Sequence, residues 1–311
     1  MNQADHVVAW YGMEIPGMTL RPIKQGEETG LLQVLAETYG GFHDLPGTRL
    51  VLSSQRFGPN SCFIAEEYGS LTGCVAVTKL PRNRWFVIRY LAVKEARSRV
   101  EVVEKLLEKA VQYAKSESPE FLRATTPAIE PYVKVYRGSG FRPVRRDFRM
   151  SWDLEAHESV RSDFEIRELH AHLVGEAAES YVESLRPYWD WRTEEQGGPG
   201  AVANSFKESV RQGERWLLCR VGERIVGLAG LIPDFYGTGR ARFRGASVLP
   251  DYRGKGIGSA LMLETMNFAK KLGQRGMIVY TFSYLDCLAP GAMLYLRSGG
   301  RIEAEFLQLQ M

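Results

Sequence analysis

The chain has 311 residues, of which 44% are hydrophobic and 25% charged, and its formal net charge is +3. That length suggests two ordinary domains or one large one, with ample apolar material for a core in a soluble globular mix. So small a charge points to no nucleic-acid or membrane partner, and with no signal peptide and no run of about eighteen apolar residues visible the expected compartment is the cytoplasm.

Residues 1–17 have no clear period and read as a leader, with Trp10 and Tyr11 docking on the first domain. Thr19–Ile23 reads as a short strand, Glu27–Tyr39 as a helix, Gly40–Pro46 as a loop and Leu50–Gln55 as a second helical piece. Ser61–Ala65, Gly73–Thr78 and Trp85–Val93 are apolar strands, the first two joined by a hairpin through Glu67–Ser70. Val100–Lys115 is amphipathic, with Val103, Leu106, Leu107, Ala110, Val111 and Ala114 on one helical face. Phe121–Thr125 follows as a strand, then a helix ending at Tyr136, then Gly140–Val144 and Asp147–Trp152 as closing strands.

Leu154–Asp163 is polar with little period and reads as a linker. Beyond it the order of elements repeats. Phe164–Arg167 is a strand, Glu176–Ser184 a helix, and Arg215–Arg220 with Ile225–Ile232 a hairpin turning at Gly222–Arg224. Arg242–Leu249 is a strand stopped by Pro250, which has no N–H to give a ladder. Leu261, Met262, Met266, Phe268, Ala269 and Leu272 then recur at helical spacing, with Lys270 and Lys271 in the last turn and Gly273 as cap. Met277–Phe282 is a strand, and Ala292–Gly300 contains a last helix. Single positions align as well: Arg21 with Arg167, Gly73 with Gly227, Val93 with Val248, Leu106 with Leu261, and Tyr136–Gly140 with Tyr295–Gly299. The chain reads as an internal duplication, with domains at 1–153 and 164–311, its period far too long for a solenoid.

The stretch with chemistry is Arg253-Gly254-Lys255-Gly256-Ile257-Gly258, between a strand end and a helix start. Glycines tolerate positive φ, so consecutive N–H groups can converge there, and the helix start adds unpaired amides with partial positive charge. Together they make an anion cradle suited to a pyrophosphate, with Arg253 and Lys255 beside it. A P-loop needs Ser or Thr after its lysine, and Gly256 stands there instead. The dinucleotide fingerprint finds Gly254 and Gly256 but has Ser259 in place of its third glycine, and strand and helix do not alternate before it.

Arg253-Gly-Lys-Gly256-Ile-Gly258, preceded by Val248-Leu-Pro-Asp-Tyr, does match the Arg/Gln-x-x-Gly-x-Gly/Ala loop of the GCN5-related N-acetyltransferase (GNAT) superfamily, which the sequence strongly resembles. Tyr295 falls in the tyrosine place of a piece similar to that family's later Tyr-x-(x)-x-Gly-Phe signature, with Gly300-Arg301 where Gly-Phe is usual. The resemblance implies two tandem mixed α/β (α+β) domains, each a mostly antiparallel twisted sheet flanked by helices. It also implies acyl transfer, acetyl foremost, from acyl-CoA to a primary amine by direct attack in a ternary complex. Carried over by position, the backbone of Val248 and Leu249 would hold the pantetheine arm. Gly254, Lys255, Gly256, Ile257, Gly258 and Ser259 would donate to the pyrophosphate, with Arg253 anchoring the loop. Tyr295 would protonate the departing thiolate. Tyr295 also reads as a packed helix aromatic, and Lys255 as a solvated loop lysine.

The first half has Ser98–Glu104, without a glycine, opposite that loop, and Glu101 and Glu104 would repel a phosphate. It is therefore expected to bind no CoA in the family manner. The acceptor, a small-molecule or peptide amine, is sought at Ser180–Trp191, where Tyr181, Tyr188, Trp189 and Trp191 interleave with acidic residues, and these aromatics equally read as packing. Gln196–Gly200 reads as a loop behind it. Asp234, Glu194, Glu195 and Asp286 are candidate bases. Arg137, Arg142, Arg145, Arg146 and Arg149 form a basic patch around Asp147. Cys62, Cys74, Cys219 and Cys287 lack Cys-x-x-Cys spacing and, with histidines few and scattered, buried thiols and no metal are expected. A non-catalytic acyl-CoA sensor or partner-binding protein is the rival reading and a dehydrogenase the third; a monomer or a homodimer remain open.

Overall fold

The computed structural model describes residues 15, 17–39, 61–80, 84–96, 98–158 and 163–311. The helical piece expected at Leu50–Gln55, the loop Gly40–Pro46 and most of the leader lie outside the described residues.

The first half builds β1 (Met18–Pro22), α1 (Glu28–Tyr39), β2 (Cys62–Glu67), β3 (Ser70–Lys79), β4 (Trp85–Val93), α2 (Val100–Ser116), β5 (Phe121–Pro127), α3 (Tyr132–Gly138) and β6 (Arg142–Asp153). The second half opens with β7 (Ile166–Glu168), α4 (Val174–Ser184), α5 (Asp190–Glu195) and α6 (Pro199–Arg211). It continues through β8 (Arg215–Val221), β9 (Arg224–Ile232), β10 (Arg240–Val248), α7 (Ile257–Lys271), β11 (Gly276–Ser283), α8 (Pro290–Arg297) and β12 (Arg301–Gln310). β6 is one strand where two pieces were expected, and α6 and β12 were not anticipated. α6 starts with Pro199 at its first turn, where a missing N–H costs nothing, and buries Val202 and Phe206 four residues apart.

The two expected sheets are fused into one of twelve strands, in the order β1-β2-β3-β4-β5-β12-β6-β11-β10-β9-β8-β7. Its pairs are antiparallel apart from β4–β5 and β10–β11. A parallel pair needs a crossover, and α2 and α7 supply one in each half. The closing strands are exchanged. β6 ends the first half in sequence yet pairs with β11 of the second, while β12 pairs with β5 of the first, and the two exchanged strands pair with each other at the centre. Leu307 and Leu309 of β12 accordingly sit in the N-terminal core, and Phe148, Met150 and Trp152 of β6 in the C-terminal one.

The aligned glycines show why the repeat is physical. A Cβ on Gly73 would lie 2.9 Å from Leu106 Cδ1, and one on Gly227 would lie 2.8 Å from Leu261 Cδ1. In both halves a bare backbone lets the crossover helix seat a leucine against the second strand of the hairpin.

On β6 the basic patch is largely paired: Arg145 with Asp147 at 2.7 Å, Arg146 with Glu305 at 2.7 Å and Arg149 with Glu303 at 3.1 Å. Two of these link the exchanged strands. Cys62, Cys74 and Cys219 are buried as expected, and burial pushes the Cys62 thiol up to about 12. Cys287 is exposed, because it falls in the loop between β11 and α8. Among the described residues no helix is long and apolar enough to cross a membrane, and no three His, Cys, Asp or Glu are grouped to hold a metal ion.

Candidate active site

β10 and β11 are paired only from Arg240–Phe243 to Gly276–Val279. Past that point they part. β10 remains paired with β9 up to Val248, with an irregularity between Phe243 and Gly245, where Gly245 takes φ +105°. Such a bulge twists the strand and turns its free edge toward the gap, and the positive φ favours glycine there.

The strand runs into a 3-10 turn, Pro250–Tyr252, and then into the glycine loop. Gly254 and Gly256 have φ +75° and +87°, and Gly256 caps α7 with no side-chain bond. Both glycines thus adopt the conformation for which the residue was read. Among the described residues, outside α7 itself, nothing accepts a hydrogen bond from the amides of residues 254–259; the first helical bond runs from Ala260 N to Gly256 O at 3.0 Å. Gly254, Lys255, Gly256 and Ser259 are exposed, while Ile257 is buried. Arg253 faces inward: Nε donates to Val248 O at 3.1 Å, and Nη2 to Ser184 O at 2.9 Å and to Arg186 O. It staples the loop to β10 and to the end of α4. Lys255 Nζ lies 5.1 Å from the centre of the Tyr252 ring. A Cβ on Gly258 would lie 3.5 Å from Leu294 Cδ2 and 3.8 Å from Val248 Cγ2, so this glycine lines the gap between β10 and α8.

Tyr295 comes from α8 and is nearly buried, with its ring edge-on to Trp152 at 5.8 Å and to Phe243 at 5.7 Å. Its hydroxyl would be 3.2 Å from a Cβ on Gly245, and the Ala246 backbone lies beside it. Burial holds the phenol well above its ordinary pKa of about 10.

The hydroxyl borders a cavity of about 90 Å³ that also takes in Trp189, Trp216, Arg244, Ser247 and Thr281. Of the aromatics expected to hold an acceptor, Trp189 lines this space and packs on Phe282 at 4.6 Å. Tyr181 both lines it and stacks in the core on Phe206 and Trp216 at 5.1 and 5.4 Å. Tyr188 lies under Arg253 at 5.1 Å. The side chains of Trp191 and Glu195 are outside the described residues. Asp234 is elsewhere: its carboxylate takes the Gly239 N–H at 2.8 Å, at the far end of β10. Glu194 and Asp286 are exposed and do not line the cavity. Sequence reading missed Trp216, whose buried Nε1 has no partner among the described residues, and Arg244, whose Nε lies 3.4 Å from Glu214 Oε2. Both sit on strands, where alternation alone marks a side chain as buried without saying against what.

The first half has the same parting of strands with different contents. β4 and β5 pair only from Trp85–Ile88 to Phe121–Ala124. Tyr132 Oη accepts the Val93 N–H at 3.0 Å, Tyr39 donates to Leu91 O, and the rings of Tyr39 and Tyr132 stand 5.3 Å apart. Tyr136, the counterpart of Tyr295, is fully buried with no partner for its hydroxyl among the described residues. At the start of α2, Arg99 pairs with Glu67 at 2.8 Å and Glu101 and Glu104 are exposed. Tyrosines fill the gap that stands open in the other half, and no glycine shapes a cradle.

The acetyltransferase (GNAT) family model matches residues 29–141 and again residues 172–286. Among solved structures, a GCN5-related N-acetyltransferase from Sphaerobacter thermophilus is similar at a TM-score of 0.74 and 14% identity, covering 96% of this chain and 96% of that one. A tandem GNAT protein from the clavulanic acid biosynthesis pathway is similar at 0.63 and 14% identity, covering 94% and 98%. Saccharomyces cerevisiae N-myristoyltransferase, solved with bound myristoyl-CoA, is similar at 0.57 and 9% identity, covering 96% and 79%. No curated protein matches the sequence. At these identities the likeness to solved structures is one of fold.

Proposed function

The chain belongs to the acetyltransferase (GNAT) family, and from that premise we propose that it is an acyl-CoA-dependent N-acyltransferase, with acetyl-CoA as donor and a primary amine as acceptor. The chemistry is assigned to a C-terminal domain, residues 164–311, and residues 1–153 are a domain without a pyrophosphate loop. The observation that carries this reading is the row of unengaged amides at residues 254–259, shaped by two positive-φ glycines beside the open end of β10 and β11.

When bound, the thioester supplies an activated acyl group and a thiolate leaving group. The amides of Gly254, Lys255, Gly256, Ile257, Gly258 and Ser259 would hold its pyrophosphate, and the helix start adds a favourable field. Arg253 keeps the loop in shape through three backbone carbonyls. At the parted edge the Val248 N–H would hold the pantetheine arm, while the Leu249 N–H is taken by Val226 O at 3.0 Å and Val248 O by Arg253 Nε at 3.1 Å. Tyr295 holds a proton at Oη. A phenol above pKa 10 does not surrender it readily to a thiolate near ~8.5, so its part is to stabilise the departing sulfur by a hydrogen bond.

The test is thermal stabilisation by CoA, followed by free-thiol release from acetyl-CoA with a panel of amines. Gly256→Glu should abolish the CoA shift, and an unchanged shift would refute the cradle. Stabilisation without thiol release from any amine would favour the non-catalytic sensor.

A further inference from the structure

A second cavity, of about 300 Å³, lies where the two halves meet, and its size is at the lower end of small-molecule sites. Arg89 and Tyr90 of β4 line it from the first half, and Trp189, Tyr280, Thr281 and Phe282 from the second. Trp189, Tyr280 and Thr281 also line the smaller cavity beside Tyr295. The two spaces therefore share these three residues as walls.

The charges within it do not balance. Arg145 Nε is 2.7 Å from Asp147 Oδ1, and Gln308 Nε2 donates to the other carboxylate oxygen at 2.8 Å. That pair is closed. Arg89 has no ion pair or hydrogen bond among the described residues, and its Nε is buried. Its counterpart by the repeat is Arg244, four residues before Val248 as Arg89 is four before Val93, and that arginine has Glu214. The next residue, Tyr90, keeps a positive φ of 58° where the other half has Gly245, which holds the strand irregularity next to Arg89. A guanidinium with a desolvated, unpartnered N–H calls for an anion, and its planar fork suits a carboxylate. A dianionic phosphate would leave one charge uncompensated. The remaining walls are aromatic and call for an apolar body.

We propose that the acceptor is a small amine with an aromatic or apolar body and a carboxylate, and that Arg89 of the N-terminal half binds that carboxylate; this rests on the N-acyltransferase reading. The amine end lies toward Thr281 and Tyr295. A half with no cofactor cradle thereby sets the specificity of the other.

The probes are two matched pairs, 4-(aminomethyl)benzoate with 4-(aminomethyl)benzamide, and phenylalanine with its amide, titrated calorimetrically into the full chain saturated with CoA. In at least one pair the acid should bind about 10- to 100-fold more tightly than the amide, the range expected of a charge-assisted bond. Arg89→Gln should bring that ratio close to one and leave the affinity for CoA unchanged, and Arg89→Lys should recover part of it. Acid and amide binding alike in both pairs, no binding of either acid, or a ratio indifferent to Arg89→Gln would overturn the proposal. Failure of the transferase reading looks different: the ratio and its dependence on Arg89 would persist while no amine released thiol from acetyl-CoA.

Discussion

Tyr132 Oη lies 3.0 Å from the amide nitrogen of Val93, the residue that aligns with Val248, and so occupies the backbone donor at the parted edge of the first half. With Tyr39 and Tyr136 buried around it, the N-terminal gap has been converted into core. Calorimetric titration should accordingly give one CoA per chain. Tyr132→Phe should leave the stoichiometry at one, since Glu101 and Glu104 still flank a helix start without glycines; a second site in either protein would contradict this account.

The same tyrosines set a pH limit on stability. A tyrosine is neutral when protonated, and burial raises its folded pKa, to about 12 for Tyr132 and further for Tyr39, Tyr136 and Tyr295. The unfolded chain loses these protons near pH 10, so the stabilisation is complete below ~10 and falls as pH rises toward 12. Tyr132 alone carries about 2 to 3 kcal/mol of that loss. Urea midpoints should be flat to about pH 10 and then drop, and Tyr132→Phe should make the drop shallower. An equally steep decline in the variant would show that other groups govern it.

Gly227 and Gly73 are matched by position and by contact, but one lies under the cofactor helix and the other does not. A Cβ on Gly227 would fall 2.8 Å from Leu261 Cδ1 and 2.9 Å from Cγ2 of Ile257, the first residue of α7. Gly227→Ala should cost about 1 to 3 kcal/mol and, by shifting the start of α7, weaken CoA binding as well. Gly73→Ala, against Leu106 at 2.9 Å, should cost a similar amount and leave CoA binding alone. Equal effects of both on the CoA dissociation constant would argue against a cradle at the start of α7.

Tyr295→Phe removes one hydroxyl and keeps the ring between Trp152 and Phe243. Removing that polar atom from beside the Ala246 backbone should change stability by no more than about 1 kcal/mol. CoA affinity should hold, and kcat with any working amine should fall by about 10- to 100-fold, the share of a hydrogen bond to a developing thiolate. Because the phenol keeps its proton, the wild-type rate should show no loss attributable to this residue below about pH 10. An unchanged kcat would reduce Tyr295 to a packed aromatic.

What could be read in advance depends on how local each feature is. Gly254 and Gly256 announce themselves because positive φ is a property of a single residue. Arg253 could be named as the anchor, but two of its three carbonyl partners, Ser184 O and Arg186 O, lie 69 and 67 residues away in sequence. The aromatic run at 180–191 is ambiguous because Tyr181 is both core and cavity wall. Gln196–Gly200 has the glycines of a loop, although Pro199 begins a helix there. Arg89 and Arg244 give no signal on their strands, since whether a strand arginine meets a carboxylate or an open cavity is decided by neighbours far along the chain. Nor does a strand's alternation reveal which core it enters, and that is why the exchange of β6 and β12 is invisible in the sequence.

That exchange makes the two halves one folding unit. Leu309 of β12 is fully buried in the core of the first half, on a strand whose register places it opposite Ala124. Leu309→Ala should therefore cost about 2 to 5 kcal/mol through the cavity it leaves. Because β12 also pairs along the length of β6, which completes the C-terminal sheet, the loss should not be confined to one half. Scanning calorimetry should show a single transition moved to lower temperature, with CoA raising the midpoint of the whole transition in both proteins. Two separated transitions in the variant, only the later one responding to CoA, would mean that the halves are independent and that the exchanged strands do not couple them.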